Sequence, residues 1–208
     1  MELDIDKITD ELIEGVKTIN SNNHLNERYL HHLFSHIIQR DGIKISLQDN
    51  VGLHPEWATF VTGMQSRRNG LYRKKGYKYE AVKENGSSGY IDFAIGDVNH
   101  PEYAIEFKMS DSFDEEGVVF DYMKLLDSRN PINHSISIVV YYGRKNHSKK
   151  CTGGVLSECY ATANKLLDAI NCFADKRPYR FILLEVSGGS IISHIESVKN
   201  GIFENKST

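Results

Sequence analysis

Two short runs near the middle of the chain decide its fold and carry its most informative charges: Gly89-Tyr-Ile-Asp-Phe-Ala-Ile95 and Tyr103-Ala-Ile-Glu-Phe-Lys108. Both are apolar and β-prone, so each predicts a strand of a mostly buried sheet. Side chains alternate across a strand, which places Glu106 and Lys108 on one face and Phe107 on the other. Buried charges are costly unless they are paired or bind a metal. If the two strands are neighbours, Asp92 joins Glu106 and Lys108 in one cluster.

The sequence around these runs predicts an α/β protein with a central mixed sheet flanked by helices. Apolar residues at helical intervals predict two helices before the sheet, over residues 3–19 and 24–40. A three-stranded antiparallel meander is predicted next, over residues 77–84, 89–96 and 102–108. A helix at about 117–128 then leads to the strand 135–142, whose continuous apolar run indicates a central position.

The ends of the elements and the stretches between them carry further expectations. The helix at 117–128 should begin beside Asp114, Glu115 and Glu116, because the helix dipole favours negative charge there. A helix over 153–174 and a hairpin of residues 181–186 and 191–195 are expected to close the fold, with a frayed tail after Gly201. Before the meander we expect a short strand at 43–47, a helical turn at 55–60 that contains Trp57 as a packing anchor, and a loop at 63–76.

The order of Asp92, a spacer and Glu106-Phe-Lys108 resembles the PD-(D/E)xK nuclease superfamily, which has the restriction-endonuclease-like fold. Tyr90-Ile-Asp92 takes the place of the Pro-Asp pair of the family pattern, and the missing proline is a departure from that pattern. The resemblance implies an αβββαβ core at about residues 24–142. The first N-terminal helix and the C-terminal helix plus hairpin would be additions within a single domain, 1–208.

The resemblance also implies a metal site. Asp92 and Glu106 would bind Mg²⁺ or Mn²⁺, with the carbonyl of Phe107 completing the cluster. Lys108 would orient or activate the attacking water and counter the negative charge that grows on the phosphate. Glu27, on the first core helix, would reach the metal as a fourth catalytic residue; the alternative is a flanking salt bridge or a contact one turn along to His31.

The simpler alternative to this site is a structural Glu106–Lys108 pair with Asp92 bound to backbone. Asp121-Tyr-Met-Lys124 resembles a helix of several families in the superfamily. There Lys124 would approach the phosphate or pair with a site carboxylate, whereas a plain helical pair with Asp121 needs no site at all.

The charge distribution favours nucleic acid, with DNA expected, as the partner. The net charge is −3, yet residues 65–84 carry seven basic against two acidic side chains. Such a segment on an acidic protein is typical of a local phosphate-binding surface, although solvated loops of accidental charge remain the alternative. The phosphate contacts expected in this segment are Arg67, Arg68, Arg73, Lys74 and Lys75.

Composition and motifs limit the other classes of function. No apolar stretch approaches the ~18–20 residues of a membrane span and no signal-peptide pattern opens the chain, so a cytoplasmic location without membrane contact is expected. Three cysteines without a CxxC pair predict neither a zinc site nor a disulfide framework. A nuclease-fold protein that binds nucleic acid or a protein partner without cutting is the alternative function. The sequence leaves open DNA or RNA, endonuclease or exonuclease action, and the oligomeric state, with a homodimer among the options.

Overall fold

The two N-terminal helices form where the apolar spacing predicts them. In the computed structural model, which describes residues 4–18, 26–41, 43, 52–62, 88–142, 151–169 and 177–206, α1 spans Ile5–Lys17 and α2 spans Glu27–Arg40. Each helix begins at a side chain that accepts a backbone N–H of the first turn: Asp4 from Lys7 at 3.0 Å and Asn26 from Arg28 at 3.1 Å. These caps satisfy donors that the first turn of a helix leaves unpaired.

Among the described residues, seven strands form one mixed sheet and two further helices connect its central strands. The strands, in chain order, are β1 Gly52–Thr62, β2 Ser88–Gly96, β3 Pro101–Ser110, β4 His134–Tyr141, β5 Tyr179–Ser187, β6 Ser190–Lys199 and β7 Ile202–Asn205. Their order in the sheet is the same as their order in the chain. The connecting helices are α3 Glu115–Leu126 and α4 Gly153–Ala169.

The direction of the strands divides the sheet into three parts. β1, β2 and β3 form an antiparallel meander, β3, β4 and β5 are parallel, and β5, β6 and β7 are again antiparallel. The parallel steps need long crossovers, which α3 and α4 supply. From α2 to β4 the elements therefore follow the order α-β-β-β-α-β.

The sheet is covered on both faces, so the chain forms an α/β fold with a central mixed sheet as expected. Side chains of α1 and α2 pack on one face, in what we call the α1/α2 core, and side chains of α3 and α4 pack on the other, in the α3/α4 core. β4 is buried along nearly its whole length, which confirms the central position predicted from its apolar run. Asp114 accepts the N–H of Gly117 at 3.0 Å, so the acidic group does cap α3.

Two expectations for the elements need correction. Residues 55–60 lie in β1 and not in a helical turn: Trp57 pairs with Ile91 of β2 and is buried, while Pro55 is tolerated because β1 is an edge strand. Among the described strands, the partner of β2 on the side away from β3 is β1. The tail does not fray at Gly201, because β7 pairs with β6 and Phe203 packs against Phe181.

Several expectations lie wholly or mostly outside the described residues: the strand at 43–47, of which only Ile43 is described, the loop at 63–76, the strand at 77–84 and the end of the last helix beyond Ala169. The C-terminal hairpin is confirmed in β5 and β6. Within the part of the chain that the structure describes, no helix has both the length and the apolar character that crossing a membrane requires.

Candidate functional site

Asp92 lies where the backbone pairing of β2 and β3 comes to an end. The two strands are paired from Phe93 and Ile105 to Gly96 and Pro101, so Asp92 is just beyond the last pair. Its Oδ2 accepts the backbone N–H of Phe107 at 2.7 Å. The Asp92 carboxylate therefore binds the backbone of β3 in the gap between the two strands. It lies next to Glu106 and Lys108, the residues on either side of Phe107.

The regular alternation of side chains fails at Asp92. Ile91 packs in the α3/α4 core, whereas Phe93, two residues further along the same strand, packs in the α1/α2 core. Residues two apart on a regular strand share a face, so the strand changes phase at Asp92. Asp92 is thereby free to turn into the gap between the two strands, which the assumption of a regular strand did not predict.

The neighbouring strand changes phase at the same level. Leu53 packs in the α1/α2 core and Trp57 in the α3/α4 core, although they are four residues apart. Between them Glu56 has φ of 51°, a left-handed conformation that is uncommon for a residue with a side chain. Glu56 faces Asp92, because the residues on either side of Glu56 pair with those on either side of Asp92. Both strands are therefore irregular at the same level, beside the site.

Glu106 and Lys108 share a face of β3, as the sequence predicts, and both reach α3. Glu106 is buried and forms an ion pair with Lys124. Lys108 donates to Asp121 at 2.9 Å from Nζ to Oδ2. Phe107 points to the opposite face and is buried in the α1/α2 core. Glu106 and Lys108 are therefore paired with α3, and not with each other.

The ammonium of Lys124 is held by three oxygen atoms. It contacts Glu106 Oε1, lies 3.3 Å from Asp121 Oδ1 and donates to the carbonyl of Tyr90 at 2.9 Å. Its side chain is only 7% exposed. An ammonium has three N–H donors, and here each has an oxygen partner. The same ammonium lies 5.2 Å from the centre of the Phe120 ring. Lys124 is thus a fixed cation within the site.

The first turn of α2 brings two more groups to Asp92. Glu27 and His31 are one turn apart on the helix, so both side chains lie on the same side of it. Glu27, His31 and Asp92 each offer one ligand atom, and these three atoms lie within 4.8 Å of one another. His31 Nε2 is 3.4 Å from Asp92 Oδ2. Glu27 therefore belongs to the site, with His31 as a further member.

Aromatic rings hold His31 in place. Its ring meets Phe93 edge-on with the centres 5.3 Å apart and lies 5.7 Å from Phe107. Phe34, three residues after His31 on the same helix, packs against both phenylalanines with ring centres 5.1 and 5.2 Å apart. These contacts are within the range of favourable aromatic pairs. The imidazole is thus fixed by an apolar wall on one side and faces carboxylates on the other.

The acids of the site differ in how readily they ionise. Burial acts to raise the pKa of Asp92, but His31 and the N–H of Phe107 outweigh it and leave the pKa below its ordinary value. Burial raises the pKa of Glu27, which Lys108 only partly offsets. Burial also raises the pKa of Glu106, well above its usual range, and Lys124 opposes that shift. Of these three carboxylates, Asp92 therefore stays ionised most readily.

The two lysines of the site stay protonated. Burial acts to lower the pKa of Lys108, but the charge of Asp121 outweighs it and the pKa is raised. Lys124 also has a raised pKa, since Glu106 and Asp121 outweigh its burial. Burial likewise acts to lower the pKa of His31, and the contact with Asp92 raises it above the ordinary value.

With its carboxylates ionised and His31 neutral, as metal binding would require, the site carries more negative than positive charge. Four carboxylates, Glu27, Asp92, Glu106 and Asp121, surround the two ammoniums of Lys108 and Lys124. With all of these ionised and a neutral His31, two negative charges are left over. An excess of this size in a partly buried cluster favours a divalent cation.

The structure describes only some of the predicted site residues. Glu27, Asp92, Glu106, Phe107, Lys108 and Lys124 come together, whereas Arg67, Arg68, Arg73, Lys74 and Lys75 lie outside the described residues. Lys124 is buried against Glu106 and Asp121, which matches pairing with a site carboxylate. Sequence reasoning gave no site role to His31 or Asp121. The available signals were the four-residue spacing of His31 from Glu27 and the three-residue spacing of Asp121 from Lys124.

A scan of the chain against protein-family models, a search of curated proteins and a search of solved structures each found no match. The resemblance to the nuclease superfamily therefore rests on the residues of the site and on their arrangement alone.

Proposed function

We propose that the chain is a metal-dependent nuclease of the PD-(D/E)xK superfamily, which hydrolyses phosphodiester bonds of nucleic acid, with DNA as the expected substrate. One observation carries the proposal: Asp92, Glu106 and Lys108 meet Glu27 where the pairing of β2 and β3 ends. The α-β-β-β-α-β order from α2 to β4 supports the restriction-endonuclease-like arrangement.

The donor set suits a divalent cation. Asp92 is common to the two ligand sets that the site offers: Glu106 with the Phe107 carbonyl, which the resemblance implies, and Glu27 with His31, which lie together around Asp92. The excess of negative charge supports either set. A bound Mg²⁺ or Mn²⁺ would polarise the phosphate and lower the pKa of a water molecule.

Lys108 would act as a cation and not as a base. Its raised pKa keeps the ammonium protonated, and Asp121 fixes its position at 2.9 Å. A fixed ammonium can donate to a phosphate oxygen and counter the charge that develops there. Asp121 is then the residue that positions Lys108, and it also contacts Lys124.

The basic segment supports nucleic acid as the substrate. It lies between β1 and β2, and the strands that flank it meet where Thr62 pairs with Ser88. Ser88 is four residues before Asp92 on the same strand, or about 13 Å at the usual rise of a strand. The described residues on either side of the segment thus lie near the proposed site, where positive charge would attract a polyanion.

The test is cleavage of plasmid, single-stranded DNA and RNA with Mg²⁺ or Mn²⁺, and with EDTA in place of metal. We expect cutting only with metal. Lys108→Ala should lower the rate by about 10²–10³-fold, since it removes one fixed donor from the reacting phosphate. The variant should still fold, because Asp121 keeps Lys124 as a partner.

The matched control is Lys165→Ala, on the exposed face of α4, which should cut at the parental rate. Full activity of Lys108→Ala would remove this lysine from the mechanism. Full activity in EDTA would remove the metal.

A second candidate function is binding of nucleic acid or of a protein partner without cleavage. The ion pair between Glu106 and Lys124 favours it, because a carboxylate bound to a buried ammonium is less available to a metal. In the same assay this candidate predicts bound but intact nucleic acid at every metal concentration, measured by gel shift beside the cleavage gel.

A further inference from the structure

The site offers three candidate metal ligands on α2 and β2. The ligand atoms of Glu27, His31 and Asp92 lie within 4.8 Å of one another. Two ligands of one ion at about 2.0–2.2 Å can be at most about 4.4 Å apart. Adjacent ligands of such an ion are about 3 Å apart, and His31 Nε2 is 3.4 Å from Asp92 Oδ2, so the set can close around an ion by side-chain movements of up to about 2 Å.

Glu106 is less available to a metal than this set. Its Oε1 is in contact with the ammonium of Lys124, which also contacts Asp121 and donates to the Tyr90 carbonyl. A metal at Glu106 would have to displace this ammonium from a site where the lysine side chain is 7% exposed. A displaced, buried ammonium would lose its oxygen partners and would be costly to leave there.

We propose that Glu27, His31 and Asp92 hold a single divalent ion of the first transition row, and that Lys124 serves as the built-in second cation beside Glu106. The inference rests on the proposed function for its premise that this site binds a cation. It goes further in assigning the ligands, the number of ions and the class of metal.

The imidazole sets the class of metal. Mg²⁺ takes oxygen ligands almost exclusively and keeps several waters, whereas transition ions accept imidazole nitrogen readily. His31 presents Nε2 to the carboxylates, and Phe93 and Phe107 hold its ring. Two carboxylates and a neutral imidazole also balance the charge of one divalent ion. A site for Mg²⁺ alone would gain nothing from this histidine.

Position within the strand supports the same assignment. Asp92 Oδ2 accepts the N–H of Phe107 at 2.7 Å and lies 3.4 Å from His31 Nε2, so the carboxylate is held in place beside the imidazole. Such a hydrogen bond to a ligand is typical of the outer contacts that orient metal ligands. Asp92 thus combines a fixed orientation with closeness to both Glu27 and His31.

The experiment is a titration of the whole chain with Mn²⁺ and separately with Mg²⁺, without nucleic acid. Calorimetry gives affinity and stoichiometry, and the paramagnetic signal of free Mn²⁺ gives a second reading. We expect one Mn²⁺ per chain, bound at least about tenfold more tightly than Mg²⁺. His31→Gln should weaken Mn²⁺ by at least about tenfold, since even outer contacts of a metal site cost that much.

Three further variants make the assignment specific. His36→Gln, an exposed histidine on the same helix, should bind Mn²⁺ like the parent. Glu27→Gln should weaken both metals, because it removes an oxygen ligand. Glu106→Gln should weaken Mn²⁺ less than His31→Gln does. Circular dichroism of each variant checks that α2 and the sheet are intact.

Several results would overturn the inference. These are equal affinity for Mg²⁺ and Mn²⁺, two ions per chain, a larger loss of Mn²⁺ affinity in Glu106→Gln than in folded His31→Gln, or no Mn²⁺ binding at all. A chain that binds one Mn²⁺ as expected but never cuts nucleic acid would refute the proposed function and leave this inference standing. A chain that cuts with Mg²⁺ held through Glu106 would do the reverse.

Discussion

Lys124→Met should destabilise the protein strongly, because it removes a buried ammonium that three oxygens share. Those oxygens belong to Glu106, Asp121 and the Tyr90 carbonyl, and the lysine side chain is 7% exposed. Removing one partner of a buried ion pair costs about 3–5 kcal/mol. For a domain of this size each kcal/mol corresponds to about 2–4 °C, so the melting temperature should fall by roughly 6–20 °C.

The loss should depend on pH in a direction that identifies Glu106 as its cause. Without Lys124, burial raises the pKa of Glu106 further, and the folded variant binds a proton more tightly than the unfolded chain does. Its stability therefore falls as the pH rises above the ordinary carboxyl range and recovers on acidification. Urea unfolding of parent and variant at about pH 5 and pH 8 measures the difference, which should be smaller at the lower pH.

Two comparisons separate this explanation from a general packing defect. Glu106→Gln combined with Lys124→Met should recover about 0.5–3 kcal/mol of the loss, the usual coupling between contacting residues. Lys165→Met, on the exposed side of α4, should stay within about 0.5 kcal/mol of the parent. A loss below about 1 kcal/mol for Lys124→Met, unchanged by pH, would show that Glu106 does not depend on this ammonium.

Three further predictions concern other parts of the chain. Gly96→Ala should lower the free energy of unfolding in urea by about 1–3 kcal/mol or more, because Gly96 has φ of 113° and a Cβ there would lie 2.9 Å from the Glu102 backbone N. The control Gly154→Ala, in α4, should be neutral or stabilising. Burial raises the pKa of Cys151 to about 12, so iodoacetamide at neutral pH should label it only after unfolding, as read by mass spectrometry; labelling at the same rate in the native protein would contradict this. Neutralising Arg67, Arg68, Lys74 and Lys75 together should weaken nucleic-acid binding and reduce the slope of log affinity against log salt by up to ~3–4 units, without changing sequence preference. Unchanged binding at every salt concentration would show that this segment does not contact the phosphates.

Local patterns in the sequence were sufficient to predict most of the elements. Helical spacing of apolar residues predicted α1 and α2, and the acidic run at Asp114 predicted the start of α3. The error at β1 has a physical reason: Pro55 and Glu56 are poor strand formers, and the strand exists because Trp57 and its neighbours pair with β2. That pairing is non-local and does not appear in the local pattern. The same holds for β7, which depends on β6 and on Phe181.

The sequence predicted which residues belong to the site better than it predicted their contacts. Alternation on β3 correctly placed Glu106 and Lys108 on one face, because β3 is regular there. Alternation could not place Asp92, since β2 changes phase at that residue. The partners of the two lysines lie on α3, and the packing of a helix on a sheet is not encoded in the spacing of either element alone. The membership of His31 depends in the same way on how α2 crosses the sheet.

If the site binds a metal as proposed, the buried ammonium of Lys124 makes folding independent of metal loading. Together with Lys108 it balances the charges of Glu106 and Asp121 from within the chain, so the sheet and α3 can assemble without an external ion. Many small metal domains are unfolded without their ion, and chelators denature them. A chain with its own cation can instead be stripped by a chelator, stored in the apo form and recharged later without refolding. The supply of the ion, and not the synthesis of new protein, would then decide when such a site works.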